Sequence, residues 1–234
     1  PGVVGVGGEA AGLPLPGEEE AEPRRLGDAP GIRTAHSFVF EPRGRQLLLF
    51  GGASLVNGAP LGDSWAFRLL DNLWVQLPEC CNARKHHTAV LDEATGRMLV
   101  FGGNLGFGQE SAFTNSLYAL NTTDLTWSSV TTSTQPPGRN QHVAVVDSTG
   151  RTMLVYGGQG AGDTILSDMH AYHLDQGTWS SPDTTGIGPG ARYACSAVMD
   201  QAFGRMLVFG GRMLEDGASN ELLYAYTVAT REWA

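Results

Sequence analysis

Pairs of adjacent glycines recur at nearly regular intervals along the chain. Each pair closes a short apolar run such as Met98-Leu-Val-Phe101, which is too short for a helix and is typical of a buried strand. The pairs are Gly51-Gly52, Gly102-Gly103, Gly157-Gly158 and Gly210-Gly211. The intervals between them are 51, 55 and 53 residues. This period of about fifty residues predicts a series of similar structural units that pack side by side.

An arginine stands eighteen residues before the first glycine of every pair. Three residues after the arginine comes a histidine, or Cys195 in the fourth unit. The repeated residues are Arg33, Arg84, Arg139 and Arg192, followed by His36, His87 and His142. An apolar segment then leads to a Gly-Arg turn such as Gly96-Arg97, where glycine accepts the positive φ of a tight turn. Each unit therefore opens with a predicted β-hairpin.

Two further strands are predicted in each unit. An aromatic-rich segment such as Leu117-Tyr-Ala-Leu120 is entered through an Asp or Asn, and a tryptophan marks the fourth strand. The tryptophans are Trp74, Trp127, Trp179 and Trp233. Four antiparallel strands in about fifty residues are typical of a β-propeller blade.

The order of these landmarks resembles the kelch repeat, over roughly residues 31–234. The resemblance implies an all-β fold, a kelch-type β-propeller with four recognisable four-stranded blades. Kelch rings commonly have six or seven blades, so it also implies that these four are part of a larger ring, with each first strand at the central channel. The predicted blades cover residues 31–83, 84–138, 139–191 and 192–234. Cys195 in place of histidine, and Trp65 in the first unit, depart from the pattern.

Residues 1–30 stand apart from the repeat. They hold six acidic residues, including the run Glu18-Glu-Glu20, but only two arginines, and they are rich in glycine and proline. One interpretation is an acidic Gly/Pro-rich leader. The other is a decayed blade remnant, in which Val3-Val-Gly-Val-Gly-Gly8 was the second strand. Because the chain starts with Pro1, we expect it to be a segment of a longer protein whose targeting signal is not included.

The charge composition indicates which classes of partner the chain can bind. The 234 residues contain 15 basic and 24 acidic side chains, for a net charge of −9, and Lys85 is the single lysine. Such a chain lacks the basic surface that would neutralise nucleic acid phosphates or anionic lipids. No apolar stretch reaches the length of a membrane span. The predicted partner is another protein or a larger assembly, with no nucleic acid and no membrane insertion.

The three cysteines indicate a reducing compartment, and we predict a cytoplasmic location. Cys80 and Cys81 are adjacent, and we do not expect them to bond to each other, which leaves at most one bridge, to Cys195.

The repeated arginines and histidines are predicted to be structural. A residue type that recurs at one place in every blade is most simply a framework residue, and the sequence contains no zinc, phosphate-loop or serine-hydrolase motif. We therefore predict no catalytic residue, cofactor or metal. The alternative implied by the resemblance is a kelch-type metal-dependent enzyme, similar to the copper radical oxidases or the iron-dependent specifier proteins. The specifier pattern of Glu, Asp and His at four-residue spacing is absent from this sequence.

The loops after the glycine pairs are the predicted binding surface. They cover residues 53–62, 104–114, 159–167 and 212–219 and differ between units, whereas the strands hardly do. Several carry apolar residues that a turn does not require. The candidates are Leu55, Val56, Leu105, Phe107, Phe113, Ile165, Leu166, Met213 and Leu214. The predicted function is a non-catalytic protein–protein interaction scaffold that presents variable propeller loops to a partner protein or assembly.

Overall fold

The computed structural model describes residues 29–107, 112–213 and 221–234. Regular structure in these ranges is β-strand, apart from one short 3-10 turn at Ala161–Asp163. The predicted all-β fold of four-stranded propeller blades is confirmed. Residues 1–28 lie outside the described ranges, so the leader and the blade remnant both remain predictions.

The first blade is an antiparallel sheet in the order β2-β3-β5-β6. A small pair of strands, β1 and β4, lies at its loop end. The strands are β1 (Arg33–Thr34), β2 (Ser37–Glu41), β3 (Gln46–Phe50), β4 (Ala53–Ser54), β5 (Ser64–Arg68) and β6 (Leu73–Gln76). The Glu41 carboxylate accepts hydrogen bonds from the backbone N–H groups of Arg43 and Gly44, and so stabilises the β2–β3 turn.

The second and third blades repeat this order. The second consists of β7 (Thr88–Asp92), β8 (Arg97–Phe101), β9 (Leu117–Asn121) and β10 (Trp127–Val130). The third consists of β11 (Val143–Asp147), β12 (Thr152–Gln159), β13 (Ile165–His173) and β14 (Thr178–Ser180). In the third blade the β12–β13 pairing continues past the glycine pair through a bulge to Gln159 and Ile165. The connecting loop is therefore shorter than the predicted 159–167.

The fourth blade has a fifth strand at its outer edge. Its strands are β15 (Thr185–Gly186), β16 (Ser196–Asp200), β17 (Arg205–Phe209), β18 (Leu223–Thr227) and β19 (Glu232–Trp233). The added strand, β15, comes from the segment between the third and fourth blades and pairs in parallel with β19. It thus pairs with a strand that would otherwise be an exposed edge.

The blades pack face to face in chain order. The first strands lie innermost and adjacent, β2 against β7, β7 against β11 and β11 against β16. Three apolar clusters fill the spaces between successive blades. The second strands of the two middle blades are covered on both faces by neighbouring blades and are therefore apolar, as in β8, where Met98, Leu99, Val100 and Phe101 are all buried.

The two end faces of this arc are exposed. On the first blade, Phe38 and Phe40 are 50% and 53% exposed, on the face that points away from the second blade. On the fourth blade, Val198 and Phe209 are 61% and 52% exposed, although the equivalent Val145 and Phe101 are buried. Each end therefore presents a surface of the type that is buried between blades.

Candidate functional site

The repeated arginines hold the framework together. Arg139 has a fully buried side chain, which donates a hydrogen bond to the carbonyl of Gly157 (3.1 Å) and two to the Asp168 carboxylate (2.7 and 2.8 Å). The equivalent arginine–carbonyl bonds are Arg33 to Gly51 (3.1 Å), Arg84 to Gly102 (3.0 Å) and Arg192 to Gly210 (2.8 Å). This bond explains the constant spacing of eighteen residues in the sequence.

The charge of Arg139 is matched by its carboxylate partner. Partial burial would raise the pKa of Asp168, but the hydrogen bonds from Arg139 and His170 outweigh it and hold that pKa well below its usual range. In the first blade the Asp63 carboxylate pairs with Arg33 in the same way, with Asp63 Oδ1 2.7 Å from an Arg33 guanidinium nitrogen. In the second blade Arg84 instead donates to the Ser116 hydroxyl at 3.0 Å. These arginines are therefore engaged within their own blades.

The repeated histidines join one blade to the next. His87 Nε2 lies 2.9 Å from Ser37 Oγ, and His142 Nε2 lies 2.8 Å from Thr88 Oγ1, each hydroxyl being at the start of the preceding blade's first strand. In the fourth blade Cys195 replaces the histidine, and Val143 stands at the matching hydroxyl position. Both belong to the apolar cluster between the third and fourth blades. The departure at Cys195 thus exchanges a polar pair for an apolar one.

Burial keeps the joining histidines neutral. Desolvation, together with the charge of Arg84, lowers the pKa of His87 to about 3. Desolvation and Arg139 lower the pKa of His142 well below its ordinary value. Gly102 must be glycine beside this ring, because its φ is +68° and a Cβ there would lie 2.8 Å from His142 Cε1. The prediction of a structural role for these repeated residues agrees with the geometry.

The variable positions meet on one face, which we call the loop face. It carries the loops after the second strands and the Arg-x-x-His segments. Backbone hydrogen bonds connect the blades there, from His86 N to Ala35 O, from Gln141 N to His86 O and from Ala194 N to Gln141 O. All four residues have positive φ, between 51° and 57°. The Arg-x-x-His segments therefore form a continuous rim at the inner edge of the blades.

The loop face contains a cleft of about 570 Å³ formed by the first three blades. Its lining is mainly polar and includes Thr34, Leu55, Lys85, His86, Asn140 and Gln159. Asn140 is 3% exposed, and its side-chain oxygen accepts no hydrogen bond from the residues that the structure describes. Gln141 Nε2 donates a hydrogen bond to Gln159 Oε1 (3.2 Å), which orients the side-chain amides of both residues in the cleft. The cleft can thus donate and accept hydrogen bonds.

The predicted loop residues fall into three groups. Leu55, Val56 and Phe107 are exposed, at 62%, 83% and 57%. The half-buried residues are Leu105, Phe113, Leu166 and Met213. Ile165 is buried and lies in β13, because the β12–β13 pairing continues beyond the glycine pair, so it is not an exposed loop residue. Leu214 lies outside the described residues. Leu55 and Phe113 line the cleft, so the first two of the predicted binding loops both contribute to it.

The cleft residues next to the arginines were missed by the sequence analysis. These residues occupy the two variable positions of Arg-x-x-His, whereas the sequence analysis considered only the constant Arg and His of the motif. They are Lys85, His86, Asn140 and Gln141. Variation between the units was the usable signal, since the first of these positions differs in every unit and the second is the same only in the first and fourth units, whereas the arginine is constant.

The expected cysteine pairing is wrong. Cys80 and Cys81 are bonded to each other, with Cα atoms 3.7 Å apart, and Cys195 is a free thiol. The bonded pair lies in the loop between β6 and β7 and packs against the cluster between the first two blades, whereas Cys195 packs between the third and fourth. Folding thus places Cys195 in a different interface from the other two.

Two further findings concern metals and membranes. In the described ranges, no three His, Cys, Asp or Glu side chains converge on a point that could hold a metal ion. His170, for example, is engaged with Asp168 at 2.7 Å and Ser181 at 2.9 Å. Residues 29–107, 112–213 and 221–234 include no helix that is long and apolar enough to span a membrane.

The four-stranded blades, their innermost first strands and the Arg–Gly and His–hydroxyl contacts define a β-propeller of the kelch-repeat class. Comparison with family models agrees, since residues 18–137 and 95–234 match the KLHDC2/KLHL20/DRC7 Kelch-repeats domain. The chain belongs to this kelch-repeat family.

Curated relatives share the repeat at moderate identity. The chain is 32% identical over 188 residues to the Rab9 effector protein with kelch motifs of Danio rerio, covering 71% of this chain and 51% of that protein. It is 31% identical over 135 residues to dynein regulatory complex subunit 7 of Chlamydomonas reinhardtii, covering 57% of this chain and 11% of that protein. Against the mouse multiple epidermal growth factor-like domains protein 8 the identity is 28%, over 86% of this chain and 7% of that protein. The chain thus spans about half of one of these relatives and about a tenth or less of the other two.

Proposed function

We propose that this chain is a non-catalytic protein-interaction module that binds a partner protein through its loop face. The proposal rests on the different roles of the constant and the variable positions of the repeat. The repeated arginines and buried histidines are occupied by framework hydrogen bonds, whereas the variable positions surround a cleft. Exposed apolar side chains beside polar groups are the composition expected of an interface.

The proposed surface combines a polar cleft with an apolar margin. Leu55 and Val56 of the first blade and Phe107 of the second are exposed, and Leu55 also lines the cleft. The amides of Asn140 and Gln159 are suited to the backbone of an extended segment, since an amide both donates and accepts. An apolar side chain of the partner would then pack on the margin while its backbone bonds in the cleft.

The relatives support a role in assemblies. One is named as a Rab9 effector and another as a subunit of a dynein regulatory complex. We place this chain in an assembly of that general kind, as part of a larger ring, and in the cytoplasm.

Site-specific crosslinking tests the proposed surface. A photoreactive amino acid at position 56 or 107 should capture the same partner protein, and one at Leu70, which is 77% exposed in the β5–β6 turn at the other end of the blade, should not. The double variant Val56→Ser with Phe107→Ser should weaken binding of that partner by about 30-fold or more, if either side chain is a hot spot of about 2 kcal/mol. Its melting temperature should stay unchanged because both side chains are exposed. Capture from position 70 alone would refute the loop face.

A further inference from the structure

A serine, a histidine and an aspartate are linked by hydrogen bonds at the outer edge of the third blade. His170 lies in β13 and is 9% exposed, and Ser181 directly follows β14. Ser181 Oγ lies 2.9 Å from His170 Nδ1, and His170 Nε2 lies 2.7 Å from Asp168 Oδ2. The framework pair of Asp168 and Arg139 does not require the serine, so the contact of Ser181 with His170 is an additional feature of this blade.

The aspartate determines where the protons of this cluster lie. Partial burial would raise the pKa of Asp168, but the hydrogen bonds from Arg139 and His170 hold it well below its usual range. The carboxylate is therefore ionised and can only accept hydrogen bonds, so His170 Nε2 carries a proton. In a neutral imidazole the other nitrogen is an acceptor, and the Ser181 hydroxyl therefore donates to His170 Nδ1.

The serine lies in a segment that an enzyme can reach. Residues 181–184 belong to no strand, and Ser181, Asp183 and Thr184 are exposed. Ser181-Pro182 is the single Ser-Pro or Thr-Pro dipeptide in the sequence. A proline restricts the residue before it to extended conformations, which is the form in which protein kinases bind their substrates. Pro182 also has no backbone N–H, so it suits a kinase whose substrate groove does not need that donor.

We propose that Ser181 is a phosphorylation site for a proline-directed serine kinase and that His170 holds the phosphate. The kinase transfers the γ-phosphoryl group of ATP to Ser181 Oγ. A bond forms between the γ-phosphorus and Oγ, the bond from that phosphorus to the β–γ bridging oxygen breaks, and ADP leaves. The hydroxyl proton passes to the catalytic aspartate of the kinase. This site is independent of the binding surface proposed on the loop face.

Phosphorylation changes the protonation of His170. A dianionic phosphate can only accept hydrogen bonds, so its contact with His170 Nδ1 requires a proton on that nitrogen as well. The resulting imidazolium lies between two anions, the phosphate and the Asp168 carboxylate, and Arg139 balances the charge of the carboxylate. Hydrogen bonds between charged groups are stronger than neutral ones. The phosphate therefore holds the connection between β14 and β15 against the third blade.

Phosphorylation of the full chain in vitro tests the site. A purified mitogen-activated protein kinase with ATP should phosphorylate the chain at Ser181, as located by mass spectrometry. Ser181→Ala should abolish this incorporation, and Pro182→Ala should slow it about tenfold or more although the serine remains. The matched control is Ser180→Ala. Ser180 is also exposed and its Oγ lies 2.9 Å from His173 Nε2, but no proline follows it, so this variant should be phosphorylated like the unmodified chain.

Nitrogen NMR of the histidine rings tests the role of His170. Before phosphorylation its two ring nitrogens should have unlike chemical shifts near neutral pH, because only one of them carries a proton. After phosphorylation the two shifts should become similar, as in an imidazolium, whereas the signals of His173 should stay unchanged. His170→Gln identifies the signals of His170 and should leave the rate of phosphorylation unchanged.

Two results would overturn the proposal. A folded chain in which Ser181 takes up no phosphate, or in which other residues take up most of it, would refute the site. Phosphorylation of Ser181 that leaves the ring signals of His170 unchanged would refute His170 as the group that holds the phosphate.

Discussion

Arg139 shows how much one residue contributes to a blade. Its buried guanidinium bonds the glycine pair and the entry to the third strand at once, so it connects segments 18 and 29 residues away. Loss of Arg139 would leave the Gly157 carbonyl without its donor and the Asp168 carboxylate, which is 38% exposed, without its partner.

We therefore expect Arg139→Ala to lower the free energy of unfolding by about 2–3 kcal/mol, measured by urea denaturation. Arg139→Lys should recover only part of this loss, because lysine cannot make the two parallel bonds to Asp168. The control is Arg68→Ala, whose pair with Asp71 is about half exposed on both sides and should contribute less than about 1 kcal/mol. Equal losses at the two positions would contradict this prediction.

The buried histidines predict a pH dependence. His87 is near Arg84, His36 and His86, and His142 is near Arg139 and His87, so positive neighbours and burial act together. Because the folded-state pKa values lie below the unfolded value of 6.5, the unfolded chain binds protons more tightly. Stability is complete above pH 6.5 and falls as the pH drops towards 3, by up to about 1.4 kcal/mol per pH unit for each histidine.

A paired substitution isolates this effect. Thr88→Val with His142→Cys copies the apolar pair of the next interface, Val143 with Cys195, and removes one titrating group. The free energy of unfolding, measured from pH 8 to pH 4, should depend less steeply on pH in the double variant than in the unmodified protein. Identical slopes would show that folding does not lower the pKa of His142.

At the scale of the element, a strand's neighbours decide the role of its residues. Trp179 and Trp74 hold the same place in β14 and β6, but Trp179 packs on Phe101 of the preceding blade and is 8% exposed. Trp74 contacts Phe67 and Phe38 within its own blade and is half-buried.

We expect Trp179→Ala to cost about 3–5 kcal/mol in a dilute solution of the protein and Trp74→Ala clearly less. Thermal and chemical denaturation should rank the two variants in this order. A cost for Trp74→Ala equal to that of Trp179→Ala in dilute solution would count against the exposed end face.

At the scale of the whole molecule, stability depends on how many faces of a blade are covered. Among the residues that the structure describes, the second and third blades are covered on both faces, and the first and fourth on one face each. Stability in repeat proteins is approximately the sum of unit and interface contributions.

Amide hydrogen exchange in dilute solution should therefore be slowest in β8 and β12 and faster in β3 and β17, although these strands are equivalent in sequence. Uniform exchange across all four second strands would indicate that the blades open as one cooperative unit.

Much of the fold is predictable from the sequence because it depends on local spacing. Strands of about five residues, hairpins with Gly-Arg turns and the glycine pairs all follow from short-range patterns. The role of the arginines was also predictable, since a bond from Arg139 to Gly157 needs a constant offset within one blade. The buried position of Ile165 was not predictable, because the extra strand pairing beyond Gly158 depends on a β-bulge that has no signature in the sequence.

The sequence by itself determined the repeat, the four-stranded blades, the framework residues and the loops that vary. Only the tertiary structure decided which variable residues meet in the cleft, why Cys195 replaces a histidine and which faces stay exposed. These features depend on contacts between blades, such as Thr88 with His142, which lie 54 residues apart. The local sequence pattern of each unit is enough to form a blade, but the contacts between blades arise only when the units pack against each other.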